Sequence, residues 1–125
     1  MINKEIAENI LKIYEEAWVE QDINKILSIF TKEGVYHERV LEESFKGHDE
    51  IKKYWKEKVV EEQSEIKFKL LNYWICENTL IAEWEASFNS NIKKLRMYMK
   101  EVAIMEIKNN KIKSLREYWQ SKTIK

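Results

Sequence analysis

Proline is absent from this chain of 125 residues, and there are only two glycines, two histidines and one cysteine. Without proline, no strand edge can be protected by a missing N–H, so exposed edges have to be managed by bulges and charged side chains. The lone cysteine, Cys76, excludes an internal disulfide and a cysteine-built zinc site; it reads as a small buried hydrophobe in a reducing compartment, which makes the cytoplasm the expected location. His37 and His48 lack matched ligand spacing, so no metal is expected. A surplus of one charge is missing too. Lys plus Arg and Asp plus Glu both number 22, leaving no long-range field to gather a phosphate backbone or anionic lipid, so neither nucleic acid nor membrane is an expected partner. The opening MINKEIAENI mixes acids with its apolar residues, which argues against a signal peptide or a membrane span.

What is present is periodicity. The length suits one domain, residues 1–125, able to bury roughly two thirds of its unfolded surface. Ile6, Ile10, Ile13, Tyr14, Ala17 and Trp18 recur at helical spacing and predict a helix from Asn3 to Glu20. Asp22 is a natural N-cap for a second, with Ile23, Ile26, Leu27 and Phe30, ending before a turn at Thr31–Gly34 and a short strand Val35–Val40. Gly47 precedes a third helix carrying Ile51, Tyr54, Trp55 and Val59. From Glu65 the period becomes two, predicting strands Glu65–Cys76, Thr79–Phe88, Ile92–Ile107 and Lys111–Trp119 with turns at Glu77–Asn78, Asn89–Asn91 and Asn109–Asn110. The order implies an α+β domain with its three helices gathered on the concave face of a curved antiparallel sheet, a cone.

The third of these strands places Met97, Met99, Ala103, Met105 and Ile107 on one side together with a single acid, Glu101. A carboxyl on an apolar face is costly unless something uses it. Glu117 alternates with Leu115 and Trp119 on the last strand and so joins the inward set, where it forms a second acidic pair with Glu101. Trp18, Trp55, Trp84 and Trp119 are either pocket walls or core filling. Arg96, Tyr98, Arg116 and Tyr118 face outward, types enriched at interfaces, and imply a homodimer through the convex sheet face.

Several landmarks together resemble the nuclear transport factor 2-like superfamily, in particular its SnoaL-like and ketosteroid isomerase-like branch: Tyr14 eight residues before Asp22, then ILSIFTKEGVYHE, FKGHDEIKKYW and KIKSLREYW. The resemblance covers nearly the whole chain and implies a cystatin-like α+β barrel, a SnoaL-like domain. It sets Glu38 where that branch has its proton-shuttling carboxylate and Tyr14 where it has its oxyanion-stabilising phenol, in a reaction that needs no cofactor. The second oxyanion donor of the branch, a protonated aspartate, matches Ala103, and Glu101 lies one strand repeat away, roughly 7 Å. Arg39 follows Glu38 where the branch has proline, so steroid isomerisation itself is not implied.

Three functions follow. One is a small-molecule acid/base enzyme, an isomerase, cyclase or dehydratase acting on an apolar carbonyl compound, with Glu38 as base and Tyr14 as donor. The second is a non-catalytic pocket for an apolar or aromatic molecule, lined by Trp18, Trp55, Trp84, Met99, Glu101, Ala103, Glu117 and Trp119. The third is an interaction module whose cone is filled by its own tryptophans. On the bland readings, Glu38 faces solvent and Tyr14 is a core tyrosine.

Overall fold

Asn3 opens the first helix by accepting the Ile6 N–H at 2.9 Å, and α1 (Lys4–Val19) buries Ala7, Ile10, Leu11, Tyr14, Ala17 and Trp18. The computed structural model describes residues 1–124. Asp22 caps α2 (Ile23–Ser28) in the same way, accepting from the Lys25 N–H at 3.1 Å. The chain then departs from the expected turn: β1 (Phe30–His37) begins at Phe30, and Glu38–Ser44 is an irregular loop. The cause is tertiary. Phe30 pairs with Ile112 near the C-terminal end of the chain, its ring is fully buried, and the register shifts between Phe30 and Val35.

A two-residue strand, β2 (Phe45–Lys46), pairs with Val35 and Tyr36 and leads into α3 (Gly47–Tyr54). Gly47 has φ +80°, the left-handed region in which a Cβ is disfavoured. Beyond Tyr54 the helix widens into a π segment, Trp55–Glu61, a winding common beside functional sites. Gln21 holds its far end, donating to the Val59 carbonyl at 2.8 Å and the Gln63 carbonyl at 2.7 Å.

Four long strands follow: β3 (Gln63–Cys76), β4 (Thr79–Ser90), β5 (Leu95–Lys108) and β6 (Lys111–Ile124). Asn109 and Asn110 both take positive φ, 53° and 63°, as a two-residue hairpin turn demands. The strand order is β2-β1-β6-β5-β4-β3; the long strands pair antiparallel as expected, while β1 joins β6 in parallel and makes the curved, unclosed sheet mixed. Both ends of β5 and the far end of β6 differ from the expectation. β5 starts at Leu95 because Asn91–Lys94 turns, and β6 runs past Trp119 because its polar tail pairs with Arg96–Lys100.

One face of this sheet meets the helices and carries Leu80, Ala82, Trp84 and Ala86 of β4, with Met99, Glu101, Ala103, Met105 and Ile107 of β5. A register shift between Glu106 and Ile107 lets both Ile112 and Leu115 of β6 turn inward, followed by Glu117. Cys76 corrects the sequence reading: it is exposed, since it ends the edge strand β3 at the turn into β4. No helix among the described residues is long and apolar enough to cross a membrane.

Candidate active site

Between α1, the π segment and the inward face of the sheet lies a cavity of about 260 Å³. Tyr14, Trp18, Tyr36, Tyr54, Trp55, Phe88 and Trp119 supply aromatic walls. Glu101 and Glu117 line it at depth, being 4% and 5% exposed. β5 and β6 bring these acids together, since Glu117 stands opposite Ala103 and Trp119 opposite Glu101, which sets the two carboxyls on a diagonal of the same face.

Two phenols converge on Glu117. Its Oε2 accepts from Tyr14 at 2.9 Å and from Tyr36 at 2.8 Å, and the two hydroxyls lie 3.0 Å apart. Burial pushes the Glu117 carboxyl up to about 6, while hydrogen bonds from Glu101, Tyr36 and Tyr14 pull it back down. Glu101 is driven well above the ordinary carboxylate range, first by burial and then by the Glu117 charge beside it. Two carboxyls so close hold one proton between them, and these environments put it on Glu101, as a donor to Glu117. Oε2 of Glu101 has no hydrogen-bond partner, nor has the buried Trp55 Nε1. Burial, with Glu117 nearby, also raises Tyr14, Tyr36 and Tyr54 well above the usual phenol value, so all three remain neutral donors.

Glu38 stands at the mouth. Burial pushes its carboxyl upward while Arg39 pulls the other way, with the guanidinium Nε 3.6 Å from Oε2. Arg39 also lies 4.9 Å above the Trp119 ring, and the Trp119 indole N–H donates to the Glu38 carbonyl at 3.0 Å. Across the rim, Lys58 pairs with Glu62 at 3.3 Å, and Trp18 Nε1 donates to the Gln63 side chain at 2.8 Å. Among the described residues no group of three or more His, Cys, Asp or Glu side chains is arranged to hold a metal ion.

Of the residues singled out in the sequence, Tyr14, Trp18, Glu38, Trp55, Met99, Glu101, Glu117 and Trp119 lie around this one cavity. Trp84 and Ala103 do not line it: both are fully buried, and Trp84 packs against Tyr14 at 4.9 Å between ring centroids, behind the wall. Tyr36 and Tyr54 are additions. Tyr36 shares strand parity with Glu38 and was legible as inward, whereas its hydrogen bond to a strand 81 residues away was not. Tyr54 enters because α3 and the π segment turn it and Trp55 to the same cavity.

The sequence profile of the SnoaL-like domain family matches residues 10–115. No curated protein matches. Among solved structures, the epoxide hydrolase/cyclase-like enzyme SalBIII, of pyran ring formation in the polyether salinomycin, is 16% identical with a TM-score of 0.85, covering 99% of this chain and 100% of its own. TsrD from Streptomyces laurentii is 9% identical with a TM-score of 0.82, covering 96% and 92%. An LEH-like epoxide hydrolase of M. tuberculosis is 13% identical with a TM-score of 0.77, covering 93% and 84%. At these identities the likeness is one of fold.

Proposed function

The chain belongs to the SnoaL-like domain family, and on that premise we propose that it is a cofactor-independent acid/base catalyst, an isomerase, cyclase or dehydratase acting on a small, largely apolar carbonyl compound. The observation that carries this reading is the pair Glu101 and Glu117, which shares a proton at the bottom of an aromatic cavity with one member raised to about 6, within reach of a neutral working pH. Glu38 at the mouth is the base that takes a proton next to the carbonyl. Protonated Glu101 turns its single O–H from Glu117 to the developing enolate oxygen and is the acid of the step. Tyr14 and Tyr36 keep Glu117 oriented and partly ionised, so the proton stays where it is useful. Two of the similar structures are named for enzymes, an epoxide hydrolase and an epoxide hydrolase/cyclase-like enzyme, which supports a catalytic use of such a cavity. The test is deuterium exchange into a panel of enolisable ketones. Exchange above buffer, lost in Glu38→Gln and Glu101→Gln, supports the reading; no exchange with any member of the panel moves it to a binding pocket.

A homodimer through the outward sheet face belongs to the same proposal. Trp74 and Tyr118, 49% and 47% exposed, flank Ile81, Val102 and Ile104 on adjacent strands, an apolar strip that ends in Arg116. Arg96 contributes little, because Ser87, Asn89 and the Glu65 carbonyl already engage its guanidinium. Sedimentation as a monomer at micromolar concentration would remove the dimer. A reducing, cytoplasmic setting suits the exposed, single Cys76.

A further inference from the structure

The charges around the cavity are unevenly answered. At the rim Arg39 pairs with Glu38 at 3.6 Å and Lys58 with Glu62 at 3.3 Å, and Lys93 sits exposed on the turn between β4 and β5. At depth the account differs. Among the described residues no lysine, arginine or histidine forms an ion pair with Glu101 or Glu117. Glu117 is held only by neutral donors, the phenols of Tyr14 and Tyr36 and the protonated Glu101, and Glu101 keeps an oxygen without a partner in the chain, although both acids are at least nine-tenths buried and face the cavity. A buried carboxylate without a cation is unfavourable. The walls above it, Tyr14, Tyr36, Tyr54, Trp55 and Trp119, present aromatic rings, whose faces attract cations and repel anions. Arg39 over Trp119 already shows one such contact at the rim.

We propose that the deep end of this cavity is a site for a compact organic cation, an alkylated ammonium group seated against Glu117 between the aromatic walls. The inference rests on the cavity being open to a ligand, as in the proposed function, and narrows the substrate to a carbonyl compound that carries such a nitrogen. An alkylated ammonium fits better than a metal ion, since most of the surface it meets is aromatic carbon and only one full negative charge is present. It fits better than a primary ammonium, whose three donors would find fewer acceptors than hydration provides.

The titratable groups facing Glu117 are Tyr14 from α1, Tyr36 from β1, Tyr54 from α3 and Glu101 from β5, with Glu38, Arg39 and Lys58 farther out at the mouth. The phenols stay neutral and Glu101 stays protonated, so the charge that changes near pH 6 is that of Glu117.

The experiment titrates the full chain by intrinsic tryptophan fluorescence with three probes of one shape: choline, its neutral carbon isostere 3,3-dimethylbutan-1-ol, and anionic 3,3-dimethylbutanoate. At pH 8 choline is expected to bind about tenfold tighter than the neutral isostere, and the butanoate weakest. The preference should shrink at pH 5, and Glu117→Gln should abolish it at pH 8, bringing choline and its isostere to equal affinity. If Glu117→Gln does not fold, the pH comparison on the unaltered chain carries the test. Equal binding of choline and its isostere, a preference unaffected by pH, tighter binding of the anion, or no saturable binding of any probe overturns the proposal. Glu38-dependent exchange on neutral ketones without cation preference would remove this inference and leave the catalytic reading standing; cation preference without exchange would do the reverse.

Discussion

Glu117→Gln should remove the pH dependence that this buried acid imposes on folding. In the unfolded chain this carboxyl titrates near 4.5, and in the folded chain burial pushes it up to about 6. The folded state therefore holds the proton more tightly, and stability falls as pH rises between these two values. Above about 6 the loss is complete and amounts to ~2 kcal/mol, taking ~1.4 kcal/mol for each tenfold change in proton affinity. Glutamine has the same shape and can still accept from Tyr14 and Tyr36 through its oxygen, but it does not ionise. Whatever fixed cost the amide brings is the same at every pH, so the informative quantity is a difference of differences. Measured by urea unfolding monitored through tryptophan emission, the stability of Glu117→Gln relative to the unaltered chain should rise by ~2 kcal/mol between pH 4 and pH 7.5. Glu101 adds to the effect in the same direction, because the neighbouring charge that raises it is gone. A relative stability that stays flat over that range would mean Glu117 is not held as a buried, shared acid, and the account of the site would fail with it.

Tyr36→Phe removes one of the two phenols on Glu117 and should raise that carboxyl further, by about one pH unit, read by carboxylate NMR; no movement would assign Tyr36 to packing alone. Gly34→Ala should cost ~1–3 kcal/mol, because an added Cβ would lie 3.0 Å from both the Phe30 ring and the Thr31 carbonyl and 3.1 Å from the Ile112 carbonyl, all within packed structure. Gly47→Ala should cost only ~1 kcal/mol, from its φ of +80° alone, as the nearest neighbour of a Cβ there is 3.7 Å away; thermal melts of the pair should rank them in that order. Asp22→Ala removes the side-chain cap of α2 and should lower stability by ~1 kcal/mol.

The long strands were legible because alternation survives wherever one face is buried: Met99 to Ile107 turn inward as their period predicts, while the side of β4 that carries Leu80 to Ala86 is settled by its pairing with β5. The breaks in that alternation were not. Phe30 belongs to a strand only because Ile112 lies beside it, and the polar tail of β6 carries no apolar signal of its own and is extended because β5 offers it a partner. The π winding after Tyr54 leaves no mark in the spacing of Ile51, Trp55 and Val59, which fits an α-helix equally well. In the site, the inward course of Glu101 and Glu117 could be read from parity. Their closeness depends on the β5–β6 register, and the convergence of Tyr14 and Tyr36 on one oxygen depends on how a helix lies over the sheet, which no local pattern encodes.

The π segment bears on how the rim can diverge. A helix face advances by about 100° per residue, so deleting one residue early in Trp55–Glu61 with the winding kept would swing the side chains beyond it by roughly that angle. Lys58 and Glu62, which follow, would leave the cavity mouth, while the strands bearing Glu101 and Glu117 would keep their pairing. Much of the entrance is thus written in the helix, and the acid pair in the strands, so an edit in the first leaves intact the register that brings Glu101 and Glu117 together.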